Sequence, residues 1–196
     1  MKKEFEMSIV GKLTFFLGLQ VKQKKEGIFI SQEKYTRNLV KKFGLDSKKH
    51  ASTPMSSSTK LNLDPSAVEV SLILYRIIIG SLLYLMVSRP YIAFNVGVCS
   101  QYQAAPKDSH MTTVKRIIRY VNSTPKYGLW YSKHSNAWLA GYLDADWAGS
   151  VDDRKSTSKG CFYLRNNLVS WMSKKQNSVS LSTAEAEYIA TGSYCI

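Results

Sequence analysis

Four aspartates stand close together in the segment GYLDADWAGSVDDRKSTS, residues 141–158. Carboxylate oxygens are the ligands that Mg²⁺ prefers in proteins, so a cluster of acids in a basic chain either holds a cation or forms a polar loop. Asp144 follows a β-prone run, and Asp146 faces the same side of an extended strand because it lies two residues on. Asp152 and Asp153 stand among turn-forming residues. Asp144 is therefore the best candidate for a metal ligand carried by a strand.

Two further acids stand in the segment SLSTAEAEYIA, where Ser182 is predicted to begin a helix. Ser182 and Glu185 have the spacing of a capping box, which gives Glu185 a structural task. Glu187 has no such task. The face that we expect to pack on a sheet carries Glu187, Ala184, Tyr188 and Ala190. An inward carboxylate needs a partner, and a cation shared with Asp144 would supply one, although both could be ordinary surface acids.

Paired carboxylates of this kind suit phosphodiester hydrolysis by two Mg²⁺ ions about 4 Å apart, which activate water and stabilise the leaving oxygen. The charge of the chain points to a polyanionic partner, since 27 Lys and Arg oppose 14 acids and the net charge is +13. Nucleic acid is the first candidate and an anionic membrane surface the second; the alternative is a basic surface with no ligand. The cations assigned to nucleic-acid binding are Lys34, Arg37, Lys41, Lys42, Lys115, Arg116, Arg119, Lys174 and Lys175.

The cysteines and the apolar segments bear on where the protein acts. Cys99, Cys161 and Cys195 are widely separated, which argues against a disulfide framework or a zinc site and suits a reducing compartment. The N-terminal segment carries acids where a secretory signal would be apolar. The apolar run 77–88 is shorter than the roughly 20 residues that a membrane span requires. We therefore expect an intracellular, non-secreted protein that does not span a membrane.

Periodicity predicts a mixed α/β chain in four segments. The first, 1–45, holds a hairpin at 13–31 and a helix that ends at Gly44, with Lys34, Arg37, Lys41 and Lys42 outward. The second, 46–67, has no periodicity and is a linker. The third, 68–127, holds three helices, the last with Val114, Ile117, Ile118 and Val121 inward. The fourth, 128–196, changes to strands, has a hairpin turn at Asn166 and Asn167, and ends in the helix with Glu187.

Several motifs, in order, resemble the Pol polyproteins of Ty1/copia-type retrotransposons. LTFFLGLQVKQ, GIFISQEKYTRNLVKKFGL, STPMS, LYRIIIGSLLYLMVSRP and VKRIIRYV are similar to the end of their reverse transcriptase. GYLDADWAGSVDDRKSTS and LVSWMSKKQNSVSLSTAEAEYIA are similar to the start of their ribonuclease H region. The resemblance implies a helical reverse-transcriptase thumb and connection, followed by a truncated ribonuclease H-like domain of three antiparallel strands and the first helix.

The resemblance also implies roles for single residues. Asp144 and Glu187 match the first two ribonuclease H carboxylates, which with later ligands bind two Mg²⁺ ions and cut the RNA strand of an RNA–DNA hybrid. The later ligands are expected beyond Ile196 and the polymerase aspartates before Met1. We therefore expect no polymerisation and weak or no nuclease activity from this chain, whose partners would be nucleic acid and the rest of a retroelement polyprotein. The alternatives are a non-catalytic, basic nucleic-acid-binding module and an unselected remnant of an element.

Three departures from the pattern are visible. Lys159 and Ile77 replace usual glycines, and Tyr91 replaces a usual aspartate. If the backbone at Lys159 had a positive φ, a lysine there would be strained. Such drift is typical of a copy that is no longer under selection.

Overall fold

The computed structural model describes residues 11–46, 49–56, 59–133 and 138–193. Its strands are β1 (Phe15–Phe16), β2 (Leu19–Gln23), β3 (Gly27–Ser31), β4 (Gly128–Ser132), β5 (Leu139–Asp146), β6 (Thr157–Leu164) and β7 (Asn167–Lys175). Its α-helices are α1 (Glu33–Lys42), α2 (Leu72–Leu85), α3 (Ala93–Ser100), α4 (Asp108–Ser123) and α5 (Thr183–Gly192), with a 3₁₀ turn at Pro90–Ile92. In these ranges no helix is long and apolar enough to cross a bilayer.

The core lies between α1, α2, α3 and α4, and it is formed by the residues that helical spacing predicts. Val114, Ile117, Ile118 and Val121 of α4 are fully buried, as expected. They pack with Tyr75, Ile78, Ile79, Leu82 and Leu85 of α2 and with Leu39 and Val40 of α1. Because a helix repeats every 3.6 residues, the buried positions of α4 form one continuous stripe, which includes His110 and Thr113 beside the apolar residues.

The N-terminal sheet has the order β1-β2-β3-β4, and all its neighbours are antiparallel. The hairpin predicted at 13–31 is confirmed as β2 and β3. Its fourth strand comes from far along the chain, since Gly128 pairs with Ser31 and Ser132 with Gly27. The first strand of the predicted 128–196 segment therefore joins the N-terminal sheet. The remaining strands form the second, antiparallel sheet, in the order β5-β6-β7.

Two details of the second sheet differ from expectation. The β6–β7 turn is centred on Arg165 and Asn166, whose φ angles are +54° and +60°, rather than on Asn166 and Asn167. Positive φ at both central residues is the requirement of a tight two-residue hairpin turn. Lys159 lies inside β6 and is not among the residues of positive φ, so the expected backbone strain at this residue was wrong.

One arginine is completely buried between the helices. Arg89 follows α2, and its guanidinium donates to Thr36 Oγ1, to the hydroxyl of Tyr91 and to the carbonyls of Thr124 and Pro125. In the described ranges these acceptors are all neutral oxygens. Burial accordingly lowers the pKa of Arg89, although the nearby Tyr91 opposes this effect.

Candidate functional site

The second sheet separates the two candidate carboxylates. Side chains directly opposite on neighbouring strands share a face, and Asp144 is paired with Lys159. The Lys159 ammonium lies 3.1 Å from Asp144 Oδ2 and 4.4 Å from the ring centroid of Phe94 in α3. Asp144 and Lys159 therefore face the side of the sheet on which α3 packs. Asp146 shares this face, as its spacing predicts.

The helix that carries Glu187 packs on the other side. Ala145 is paired with Ser158 on the neighbouring strand. Gln176 Nε2 donates one hydrogen bond of 3.1 Å to Ser158 Oγ and another of 2.9 Å to the Ala186 carbonyl of α5. The residues of α5 that become buried are Ala186 and Ala190. The predicted packing face was therefore wrong in part, since Ala184, Glu187 and Tyr188 are exposed, Tyr188 to 81%.

Glu187 nevertheless reaches the strand. Its Oε1 accepts a hydrogen bond of 3.0 Å from the backbone N–H of Ala145, the residue that follows Asp144. Within the described residues β5 has a neighbouring strand on one side only, so this contact satisfies a donor at a sheet edge. The structure thus brings the Glu187 carboxylate to the backbone beside Asp144 but leaves the two side chains on different faces.

In this arrangement each of the two carboxylates already has another partner. An ammonium group already neutralises Asp144, and the Glu187 carboxylate bonds to the backbone. Across the described part of the chain no three His, Cys, Asp or Glu side chains come together as metal ligands could. The assignment of Asp144 and Glu187 as metal ligands stays a prediction. Sequence reasoning missed the role of Lys159, although its place opposite an aspartate follows once β5 and β6 are aligned.

The other aspartates of the opening segment hold loops together. Asp152 accepts hydrogen bonds from the Leu63 N–H at 3.0 Å and the Tyr102 hydroxyl at 3.1 Å. Asp153 pairs with Lys175 at 2.9 Å. Burial alone would raise the pKa of Asp153, but hydrogen bonds, chiefly from Lys175 and Ser150, lower it to about 2. These acids form the salt-linked polar loop that was the alternative to a metal site.

The predicted nucleic-acid-binding cations differ in how free they are. Lys34, Lys41, Lys42, Lys115 and Lys174 are exposed. The other four are engaged or partly covered: Arg37 pairs with Glu33, Arg116 bonds to Thr53, Lys175 pairs with Asp153, and Arg119 is half-buried. Their binding role stays a prediction, which the structure supports best for the five exposed lysines.

Comparison with known proteins defines the class of protein. The reverse transcriptase (RNA-dependent DNA polymerase) family matches residues 1–57. The chain is 40% identical over 176 residues to the retrovirus-related Pol polyprotein from transposon RE2 of Arabidopsis thaliana, which covers 90% of this chain and 12% of that protein. It is 37% identical over 199 residues to the corresponding polyprotein from transposon TNT 1-94 of Nicotiana tabacum, which covers 97% of this chain and 15% of that protein.

A shorter relative is matched over most of its length. The uncharacterized mitochondrial protein AtMg00810 of Arabidopsis thaliana is 36% identical over 192 residues, which are 95% of this chain and 77% of that protein. No solved structure matches the chain significantly. The class is therefore that of reverse transcriptase-related retroelement proteins. Within it, the chain belongs to the Pol polyproteins of Ty1/copia-type retrotransposons and spans about one eighth of the length of the polyproteins it matches.

Proposed function

We propose that this chain is a nucleic-acid-binding segment of a retrotransposon reverse transcriptase and ribonuclease H, and that by itself it binds nucleic acid without cutting it. In this proposal residues 1–127 are a thumb and connection, and the strands β5–β7 with α5 begin a ribonuclease H-like domain. The observation that supports the ribonuclease H-like part of the proposal is the 3.0 Å hydrogen bond from the Ala145 N–H to Glu187, because it brings the helix-borne acid to the strand that bears Asp144.

The catalytic part of the proposal concerns the longer polyprotein. There, Asp144 and Glu187 would belong to a site for cleaving RNA–DNA hybrids that further acidic residues complete, with Mg²⁺ as the cofactor. In this chain the Lys159 ammonium forms an ion pair with the Asp144 carboxylate. Both side chains are partly exposed, 32% for Lys159 and 63% for Asp144, so the pair contributes only about 0.2–1 kcal/mol to stability. It is a local neutralisation of the carboxylate rather than a contact that the fold requires.

The binding part of the proposal rests on charge. The exposed cations Lys34, Lys41, Lys42 and Lys115 lie on α1 and α4, two helices that pack against each other. Ammonium groups that contact phosphates release counterions, so the affinity should fall steeply with salt and depend little on sequence.

A labelled RNA–DNA hybrid, incubated with the chain and Mg²⁺, tests whether this chain binds nucleic acid and whether it cuts it. We expect a complex that dissociates as salt rises and no cleavage products from the wild type. Asp144→Asn should behave like the wild type, as should Asp146→Asn, a matched control on the same face of β5. Cleavage by the wild type that is lost in Asp144→Asn but kept in Asp146→Asn would overturn the proposal that this chain does not cut by itself. Absence of binding at low salt would overturn the binding part.

A further inference from the structure

One face of the N-terminal sheet carries an unusual row of side chains. Lys22 of β2 is paired with Phe29 of β3, and Phe29 is paired with Trp130 of β4. Residues that are directly opposite share a face, so a lysine and two aromatic rings form one line across three strands. Trp130 lies on β4, the last strand in the order of this sheet, and is 41% exposed.

Two glycines make room for the rings. A Cβ atom at Gly128 would meet the Ile30 carbonyl oxygen and lie 2.9 Å from Cζ of Phe29. A Cβ atom at Gly27 would meet the Tyr131 carbonyl oxygen and lie 2.8 Å from Cζ2 of Trp130. Both distances are shorter than real side chains allow, so each ring extends over a glycine of the neighbouring strand. Aromatic rings that cover glycines in this way are a known device for filling a gap in a sheet. One side of each ring is thereby supported, and the other side faces away from the sheet.

The surroundings of the rings are basic. A cavity of about 390 Å³ over this face is lined by both rings and by Lys22, Lys24 and Lys126. The Lys24 ammonium lies 6.0 Å from the centroid of the Trp130 ring. The acid in the lining, Glu33, is paired with an arginine outside the cavity. That hydrogen bond lowers the pKa of Glu33, and the charges of Lys126 and Lys22 lower it further.

We propose that this face binds an unpaired nucleotide of a single-stranded RNA or DNA, with its base stacked on Trp130 and Phe29 and its phosphates held by Lys22, Lys24 and Lys126. The inference rests on the proposed nucleic-acid binding and names a specific place for it. Every base has a π face, so stacking on aromatic side chains tolerates any sequence. The bases of a duplex are already stacked on each other, and the rings therefore favour a single strand. An acidic peptide would satisfy the lysines but would leave the rings unused.

Fluorescence anisotropy of a labelled single-stranded homopolymer measures the contribution of the rings. Trp130→Ala should weaken binding by about 5- to 150-fold, which is the range for one stacked base. The matched control is Trp138→Ala, since Trp138 is also an exposed tryptophan, at 48%, and lies outside the N-terminal sheet. It should bind like the wild type. Lys126→Met should instead reduce the salt dependence, by about 0.7 in the slope of log K against log salt for each lost phosphate contact.

A strand that lacks bases separates stacking from every other effect. The wild type should bind an abasic strand about as weakly as Trp130→Ala binds the normal strand, and Trp130→Ala should lose little more on the abasic strand. Equal binding of normal and abasic strands by the wild type would overturn the proposed stacking on Trp130 and Phe29, and this comparison requires no variant to fold. Displacement of the strand by polyglutamate as readily as by an unlabelled strand would also overturn it, in favour of an acidic partner. Failure of the wild type to bind any single strand at low salt, while it still binds an RNA–DNA hybrid, would overturn this site alone, and failure to bind either would end the proposed function.

Discussion

Replacing Thr36 with valine should expose how strongly the buried Arg89 depends on neutral oxygens. Thr36 is fully buried, and its Oγ1 accepts a hydrogen bond of 3.3 Å from Arg89 Nη2. Valine keeps the volume of the side chain but leaves that charged donor with the Pro125 carbonyl, 2.9 Å away. A hydrogen bond to a charged group contributes about 1.5–3 kcal/mol, and the long distance places this one near 1.5 kcal/mol. For a chain of this size the melting temperature should fall by about 3–6 °C.

The chain offers a matched control in Thr113→Val. Thr113 is also buried, but its hydroxyl donates at 3.0 Å to the Ser109 carbonyl within α4, an acceptor that the helix already satisfies. This substitution should cost less than about 1 kcal/mol. Thermal and denaturant unfolding of both variants should be repeated in an Arg89→Met background, where the loss from Thr36→Val should vanish. Equal losses at the two threonines, or a loss at Thr36 that persists without Arg89, would refute the reasoning.

Three further outcomes are expected. Because its hydrogen bonds place the pKa of Asp153 at about 2, below its ordinary value, the ion pair with Lys175 stabilises above about pH 4 and is lost as the pH falls toward 2. Asp153→Asn should therefore lower the free energy of unfolding, measured with denaturant, by up to about 1 kcal/mol at pH 7, and should reduce the loss of stability between about pH 4 and pH 2. An unchanged loss of stability over this pH range would count against this. Ser182 caps α5, because its Oγ accepts a hydrogen bond from the backbone N–H of Glu185. Ser182→Ala should therefore lower the free energy of unfolding by about 1 kcal/mol and speed hydrogen exchange in that helix, and unchanged exchange would contradict this. Burial raises the pKa of Cys99 to about 12, so a thiol reagent at neutral pH should label Cys161 before Cys99 in a Cys195→Ser background, and equal labelling would show that the site is open.

The helices could be predicted from the sequence because the information that forms them is local. In α4 the buried positions Val114, Ile117, Ile118 and Val121 follow the helical period without exception. In α5 the same reasoning failed to identify the packed face. Alanines at 184, 186 and 190 stand on both sides of this short helix, so the sequence hardly distinguishes the buried stripe from the exposed one. The position of Glu187 could not be inferred from such a weak pattern.

The parts of the site that depend on strand pairing were beyond the reach of periodicity. That Lys159 neutralises Asp144 follows from the register of β5 against β6, which the alternation of side chains alone does not fix. The row of Phe29 and Trp130 depends on a pairing between residues about a hundred positions apart. Nothing in either local segment indicates its partner, although the glycines at 27 and 128 were a visible sign of close backbone approach.

The pairing of β4 with β3 has a consequence for synthesis and for truncation. During synthesis Gly27–Ser31 leaves the ribosome long before Gly128–Ser132. The edge of β3 that pairs with β4 therefore stays unpaired until all the helices between them have been synthesised. A polypeptide that ends just before Gly128 would leave the free edge of β3 permanently unpaired, and a strand of another molecule could pair with it. Dissection of this protein into working halves should accordingly place the cut after Ser132, not at the change of sequence pattern.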